Sequence, residues 1–333
     1  MNKALNAKRV YQAFTEQSDI LNGYIVPEYE ALRKSGDVFF LSVTTALKSK
    51  VRETVKKNGK KKMTAGEIRY ERREIAAARV ILACGGKASP ALGSDGSGYR
   101  LARSLGHSVV QPLPALTGIC CRESWFKELA GVRVPAEVTL LADGKQLASS
   151  RGELQLTDYG ISGIPVFQVS RYAARAMADG KHVQAQLCFF PELSREELMA
   201  YLHSHRIEQY CGLYPEKLLT VLIGMVNPAK NPEKAKNPEK IENVKRRLCE
   251  FTRKLRCTCQ EMKGFDRAQV TCGGVSLEEV NADTLESLLC RGLYFAGELL
   301  DVDGICGGYN LQWAWSSGCL AGKAAAAEIR YGQ

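Results

Sequence analysis

The sequence predicts an α/β fold whose two ends build one layered domain and whose middle is an insertion, and three observations carry this. The runs "RVILACGG" (79–86) and "GLYFAGE" (292–298) are apolar on both faces, as strands inside a layered sheet are, and each leads through glycines into a helical segment. Residues 111–190 hold short β-like runs separated by turn signals, the pattern of a small sheet or barrel. Residues 193–256 switch to helical periodicity. The predicted division is a discontinuous domain from 1–110 and 268–333, a β-barrel-like insertion over 111–192, a helical subdomain over 193–256, and a strand over 257–267 returning to the barrel.

Taken in order, "VFFLSV" (38–43), "VRETVKK" (51–57) and "EIRYERREI" (67–75) read as strands, and Asn58-Gly59 is the signature of a tight hairpin turn. After the first buried run, "YRLARSLGH" (99–107) has apolar residues at 101, 102 and 105 and Gly106 as a stop, which predicts a helix. The β-like runs of the middle include "EVTLLADGKQL", "GELQLTDYGISG" and "HVQAQLCFF". The helical part opens at "LSREELMAYL", where Ser194 and Glu197 have the spacing of a capping box. Asn-Pro pairs at 227–228, 231–232 and 237–238 predict a linker between helices. "LRCTCQEM" and "AQVTCGGVSLEEV" resume the strand pattern. A last helix over 311–330 carries Ala314, Ser317, Gly318, Ala321, Gly322 and Ala325, small enough for close approach to another backbone.

The totals narrow the function. With 333 residues, 45% hydrophobic and 25% charged, the chain has the composition of a soluble globular protein. No apolar run approaches the roughly 20 residues of a membrane helix, and Met1 to Arg9 is polar with no hydrophobic segment behind it, so a cytoplasmic setting without a membrane partner is expected. The twelve cysteines contain no C-x-x-C pair, which favours reduced thiols over a metal site. The net charge of +10 sits largely in "KKNGKKK" (56–62) and "KNPEKAKNPEK" (230–240), turn-like segments without interleaved aromatics, and no nucleic-acid partner is expected from them. A Walker A loop, G-x-G-x-x-G and a G-x-S-x-G elbow are all missing from the sequence.

The glycines define the chemistry. Free N–H groups at a helix start, with the helix dipole behind them, attract negative charge, and glycine lets a ligand approach the main chain. Two strand ends of this kind point to a phosphate-bearing cofactor. In the second, "AGELLDVDGICGGYNLQ" (296–312), Glu298, Asp301 and Asp303 cannot all face a phosphate, so one carboxylate is expected to accept hydrogen bonds from polyol hydroxyls. A flavin offers both a ribityl chain for that carboxylate and a pyrimidine carbonyl for the helix start. Tyr309 and Tyr159 are candidate proton donors, although a buried tyrosine bonded to backbone is the commoner fate, and Lys87 faces phosphate or solvent; no catalytic residue is assigned.

"ILACGGKASPALGSDGSGYRLARSLGH" (81–107), "QLTDYGISGIPVFQVSR" (155–171) and residues 268–325, with the run "GLYFAGELLDVDGICGGYNLQWAWSSGCLAGKAA", resemble the bacterial family of NAD(P)/FAD-dependent oxidoreductases with bile-acid 4,6-reductase-type and aminoacetone-oxidase-type members. The three blocks cover roughly a third of the chain, in the family's order. The resemblance implies a Rossmann-like FAD domain of the two-dinucleotide-binding type, interrupted by a β-barrel and a helical lid, with a small or steroid-like organic substrate and NAD(P)H as an electron donor. It implies that Ala83, Gly85 and Gly86 line the cofactor, that Glu298 and Asp301 stand where ribityl or phosphate contacts arise, and that Gly307, Gly308, Tyr309, Asn310 and Leu311 cap the flavin. Cys84 stands where the family usually has Thr, and Ser97 where it has Asp. The family's opening strand, G-x-G-x-x-G turn and helix have no counterpart, so the FAD domain is expected to be N-terminally incomplete, through a shortened gene or with a partner chain supplying that half. Apolar faces left wet by the loss would cost about 25 cal/mol per Å², and FAD is expected to bind this chain poorly on its own. A non-catalytic or partner-dependent remnant of such a flavoprotein is the alternative.

Overall fold

The computed structural model describes residues 52–57, 60–65, 77, 79–226 and 238–330. Strands β1 (Arg52–Lys57) and β2 (Lys60–Ala65) pair antiparallel with Lys57 opposite Lys60. The Asn58-Gly59 turn, the strands expected at 38–43 and 67–75 and most of the Asn-Pro linker lie outside the described residues.

After β3 (Val80–Leu82) and α1 (Ser97–Ser104), β4 (Leu113–Ala115) leads into the middle of the chain. There β5 (Ile119–Cys121), β6 (Arg133–Ala142), β7 (Lys145–Thr157), β8 (Gly160–Gly163), β9 (Val183–Phe189) and β10 (Leu255–Met262) close a barrel in the order β10-β5-β8-β7-β6-β9, every neighbour antiparallel. Alternation drives the closure: Val183, Ala185, Leu187 and Phe189 of β9, like Val134, Ala136, Val138 and Leu140 of β6, point into one core and their neighbours point out. Asp143 and Gly144 join β6 to β7 with φ of 48° and 80°, the left-handed pair whose twist matches the strands. At the β5–β8 seam a Cβ on Gly160 would collide with the Ile119 carbonyl and lie 2.7 Å from the Cys121 nitrogen, so only glycine fits.

Helix α2 (Ile164–Ala178) crosses between β8 and β9 and buries Val166, Val169, Ala173 and Ala176 in the barrel core. This helix interrupts a stretch whose sequence pattern is β-like. The spacing of its buried residues is helical, and Gly163 and Pro165 start it, but β-branched and aromatic residues around that start mask the period.

Helices α3 (Arg195–Ser204), α4 (Glu216–Val226) and α5 (Pro238–Lys254) cover the barrel. The capping box forms as read: Glu197 N–H donates to Ser194 Oγ at 3.1 Å and Ser194 N–H to Glu197 Oε2 at 2.8 Å. Helix α5 runs straight into β10, so strand begins at Leu255.

The two ends of the chain meet at a parallel pair, β3 with β12 (Leu293–Phe295), Val80 opposite Leu293 and Leu82 opposite Phe295. This mixed α/β unit is Rossmann-like. Its core joins Ile81, Leu82, Tyr294 and Phe295 to Tyr99 of α1 and to Ala321 and Ala325 of α6 (Tyr309–Arg330), whose small residues permit the contact. Strand β11 (Val270–Cys272) pairs antiparallel with β4, and Ala115, Leu116, Val270 and Cys272 form a small apolar bridge to Phe167 of α2. Among the described residues no helix is long and apolar enough to cross a membrane.

Candidate cofactor site

The chain leaves β12 at Gly297, whose φ of 70° turns it sharply. Helix α6 takes both polar groups of that residue: Gly297 N–H donates to Ser317 Oγ at 2.8 Å, and Trp313 Nε1–H donates to the Gly297 carbonyl at 3.1 Å. The strand end and the helix are thereby locked together. Farther on, the Asn310 side chain clamps Gly304, accepting its N–H at 2.6 Å and donating to its carbonyl at 3.1 Å. Gly307 and Gly308 then pass at φ of 121° and 90° into α6. Gln312 N–H reaches the Gly308 carbonyl at 3.0 Å, and the N–H groups ahead of it at the helix start find no acceptor among the described residues.

Those donors border a cavity of about 270 Å³. Glu298, Gly307, Gly308, Asn310, Leu311 and Ala314 line one side, Leu116, Gln269 and Val270 another. Five of the ten residues singled out from sequence therefore meet in one place. Tyr309 stands on the first residue of α6 with 57% of its surface exposed and is not in the cavity wall.

Ala83, Gly85 and Gly86 are elsewhere. Ala83 is exposed at the end of β3, and Gly85 turns with φ of 71°. Gly86 is buried, and a Cβ there would lie 2.8 Å from Thr271 Cβ and collide with its hydroxyl. Thr271 Oγ1 accepts the N–H groups of Lys87 and Ala88 at 2.8 and 3.1 Å, and Asp95 accepts that of Ser97 at the start of α1. In this loop the N–H groups of Lys87 and Ala88 are therefore taken by a side chain of β11. Lys87 Nζ lies over the Phe265 ring, 4.6 Å from its centre.

The three carboxylates divide by partner. Asp303 is held by Arg171 of α2, through Nη1 to its carbonyl at 2.7 Å and Nε to Oδ2 at 3.1 Å. Asp301 pairs with Arg175 at 3.4 Å, and Arg175 Nε also donates to Cys272 Sγ. These two acids tie the loop to the barrel helix, and Asp301 is not in the cavity wall. Glu298 alone faces the cavity; burial pushes its carboxyl up, opposed by a hydrogen bond from the Thr271 main chain and reinforced by Asp303. Sequence reasoning missed Arg171, Arg175, Thr271 and Ser317. Only the arginines left a signal, four residues apart and so on one helix face, able to meet the two aspartates of "DVD".

The arrangement offers a carboxylate and a row of main-chain donors at the positive end of a helix, beside a parallel strand pair that positions both. The chain is similar in sequence to known proteins. A 3-dehydro-bile acid delta(4,6)-reductase from Clostridium scindens is 45% identical over 267 residues, covering 78% of this chain and 64% of the relative. Ribosomal RNA dihydrouridine synthases from Haemophilus influenzae and Escherichia coli are 32% and 29% identical, each across 72% of this chain and 58% of the relative. The chain thus spans less than two thirds of the length of these relatives. The family described as HI0933-like protein Rossmann domain matches residues 38–324, a stretch that holds the parallel pair, the barrel and the glycine turn together, and the chain belongs to that family.

Proposed function

We propose that the protein is a cytoplasmic flavin-dependent oxidoreductase that uses FAD, takes electrons from NAD(P)H, and saturates a carbon–carbon double bond conjugated to a carbonyl in a steroid-like substrate. The observation that carries this is the convergence of Glu298 with the Gly307-Gly308 turn and the unbonded N–H groups of α6 on one cavity. The residues fit the flavin end of FAD. A side chain at Gly308 would meet the penalty of its positive φ, the space beside it is open, and the donors there suit a pyrimidine oxygen. Glu298 is placed to accept from ribityl hydroxyls. When bound, the flavin supplies the hydride. The part of this chain is to orient the ring, to favour negative charge at its pyrimidine end through the dipole of α6, and to exclude water with Leu116, Val270 and Leu311. Tyr309, exposed on the first residue of α6, lies outside the cavity wall, and no proton donor is assigned.

The relatives' names support the reaction class, since a 3-keto-4,6-diene and a uracil ring both present a double bond conjugated to a carbonyl. The 45% identity to the bile-acid reductase favours the steroid-like substrate over RNA. The test is titration of the purified protein with FAD, followed by visible absorbance and flavin fluorescence. We expect a saturable flavin signal that Glu298→Gln weakens and Gly308→Val abolishes, and bleaching of bound flavin by NADPH or NADH without oxygen. A signal indifferent to both substitutions would remove the assignment of this cavity.

A further inference from the structure

We infer that the concavity where α5 runs into β10 is a binding site for a small phosphorylated molecule. It goes beyond the reductase reading and stands without it, since its wall shares no residue with the cavity at the glycine turn. The concavity encloses about 620 Å³, the size of a small-molecule site. Three elements bring cations to it: Arg195 from α3, Arg253 and Lys254 from α5, and Arg256 from β10. One carboxylate, Glu250, shares the wall, and it already faces Arg246 one helical turn away at 3.7 Å.

Among the described residues none of those four cations stands in an ion pair, whereas Arg133, Arg151, Arg171 and Arg175 each face a carboxylate. The helix dipole accounts for Arg253 and Lys254, which sit in the last turn of α5. It does not account for Arg195, the first residue of α3, where the positive end of the helix repels a cation, nor for Arg256, which belongs to a strand. Like charges gathered in one concavity repel one another and focus a positive potential outward. A bound anion would relieve both effects.

The chemistry favours phosphate. Arg253 is fixed by donating Nη1–H to the Leu193 carbonyl, leaving its other N–H groups for a ligand, and several guanidinium groups match the multiple oxygens of a phosphate better than a single carboxylate would. Cys249 in the same wall donates its Sγ–H to the Arg195 carbonyl, which holds the start of α3 against α5 beside Arg253. Phe251 and Leu255 add an apolar wall for an organic part. A nucleic-acid strand needs an open track with stacking aromatics, and this wall offers Phe251 alone.

The experiment is calorimetric titration of the full chain with inorganic pyrophosphate and, in parallel, with a short oligouridylate, each at low and high salt. Pyrophosphate should bind and weaken with salt. Arg195→Gln with Arg256→Gln, both exposed, should weaken it by about tenfold, the loss of charge-assisted contacts. Arg133→Gln, on the barrel wall, should change nothing. Lys254→Glu gives a second, independent variant should the first prove unstable in a melting scan. No pyrophosphate binding by the wild-type chain, equal binding by the variants, or binding of the oligouridylate alone would each overturn the inference.

Discussion

Arg171→Met would break the buried ion pair that ties the 301–306 loop to α2. The Arg171 and Asp303 side chains are 17% and 7% exposed, so Asp303 would be left in the interior without its main counter-charge, and the loop would lose the bond to its own carbonyl. Removing one partner of a buried pair costs about 3–5 kcal/mol, and the lower end applies here. The Nε to Oδ2 approach is close but poorly aligned for a hydrogen bond, and burial already holds the Asp303 carboxyl above its ordinary range despite Arg171 and Arg175. About 3 kcal/mol translates into a loss of about 6–12 °C in Tm for a domain of this size.

The sign with pH follows from that raised value. A carboxyl that holds its proton more tightly in the folded state contributes stability in full below its unfolded pKa, ordinarily 3.8, and loses it as pH rises through the folded one. Without Arg171 the folded value climbs further, so the deficit should be small in acid and complete near neutrality. Thermal melts followed by circular dichroism at about pH 5 and about pH 8 give the comparison. Adding Asp303→Leu should recover part of the loss, because no buried charge is then left over. A Tm unchanged at neutral pH, or a deficit identical at both values, would refute the clamp.

Gly86→Ala should destabilise the α/β unit by about 1–3 kcal/mol, the range for overpacking, since its Cβ would be driven into Thr271; denaturant unfolding measures it, and Gly93→Ala, with open space but φ of 101°, should act only through backbone strain. Ser317→Ala removes the acceptor of the Gly297 N–H in a buried setting, at about 1–3 kcal/mol, and should speed amide exchange at Gly297 while leaving the barrel amides protected.

Sequence alone determined what depends on short range. Alternation in "HVQAQLCFF" specifies which side chains of β9 face the barrel core, Ser194 and Glu197 cap α3, and the small residues of α6 allow the approach to β12. The residues of the glycine turn were legible as well, because left-handed φ and a helix start leave a local signature at Gly307, Gly308 and Asn310. Tertiary structure decided how the polar groups divide. Three carboxylates within six residues look equivalent in the sequence, yet Asp301 and Asp303 are drawn to arginines that lie 126 and 132 residues away and Glu298 is left to the cavity. The same holds for the first glycine loop, whose donors went to Thr271, 184 residues from Lys87. A side chain's hydrogen-bond partner is set by whatever packing brings within 3 Å or so of it, and that distance is a property of the folded chain.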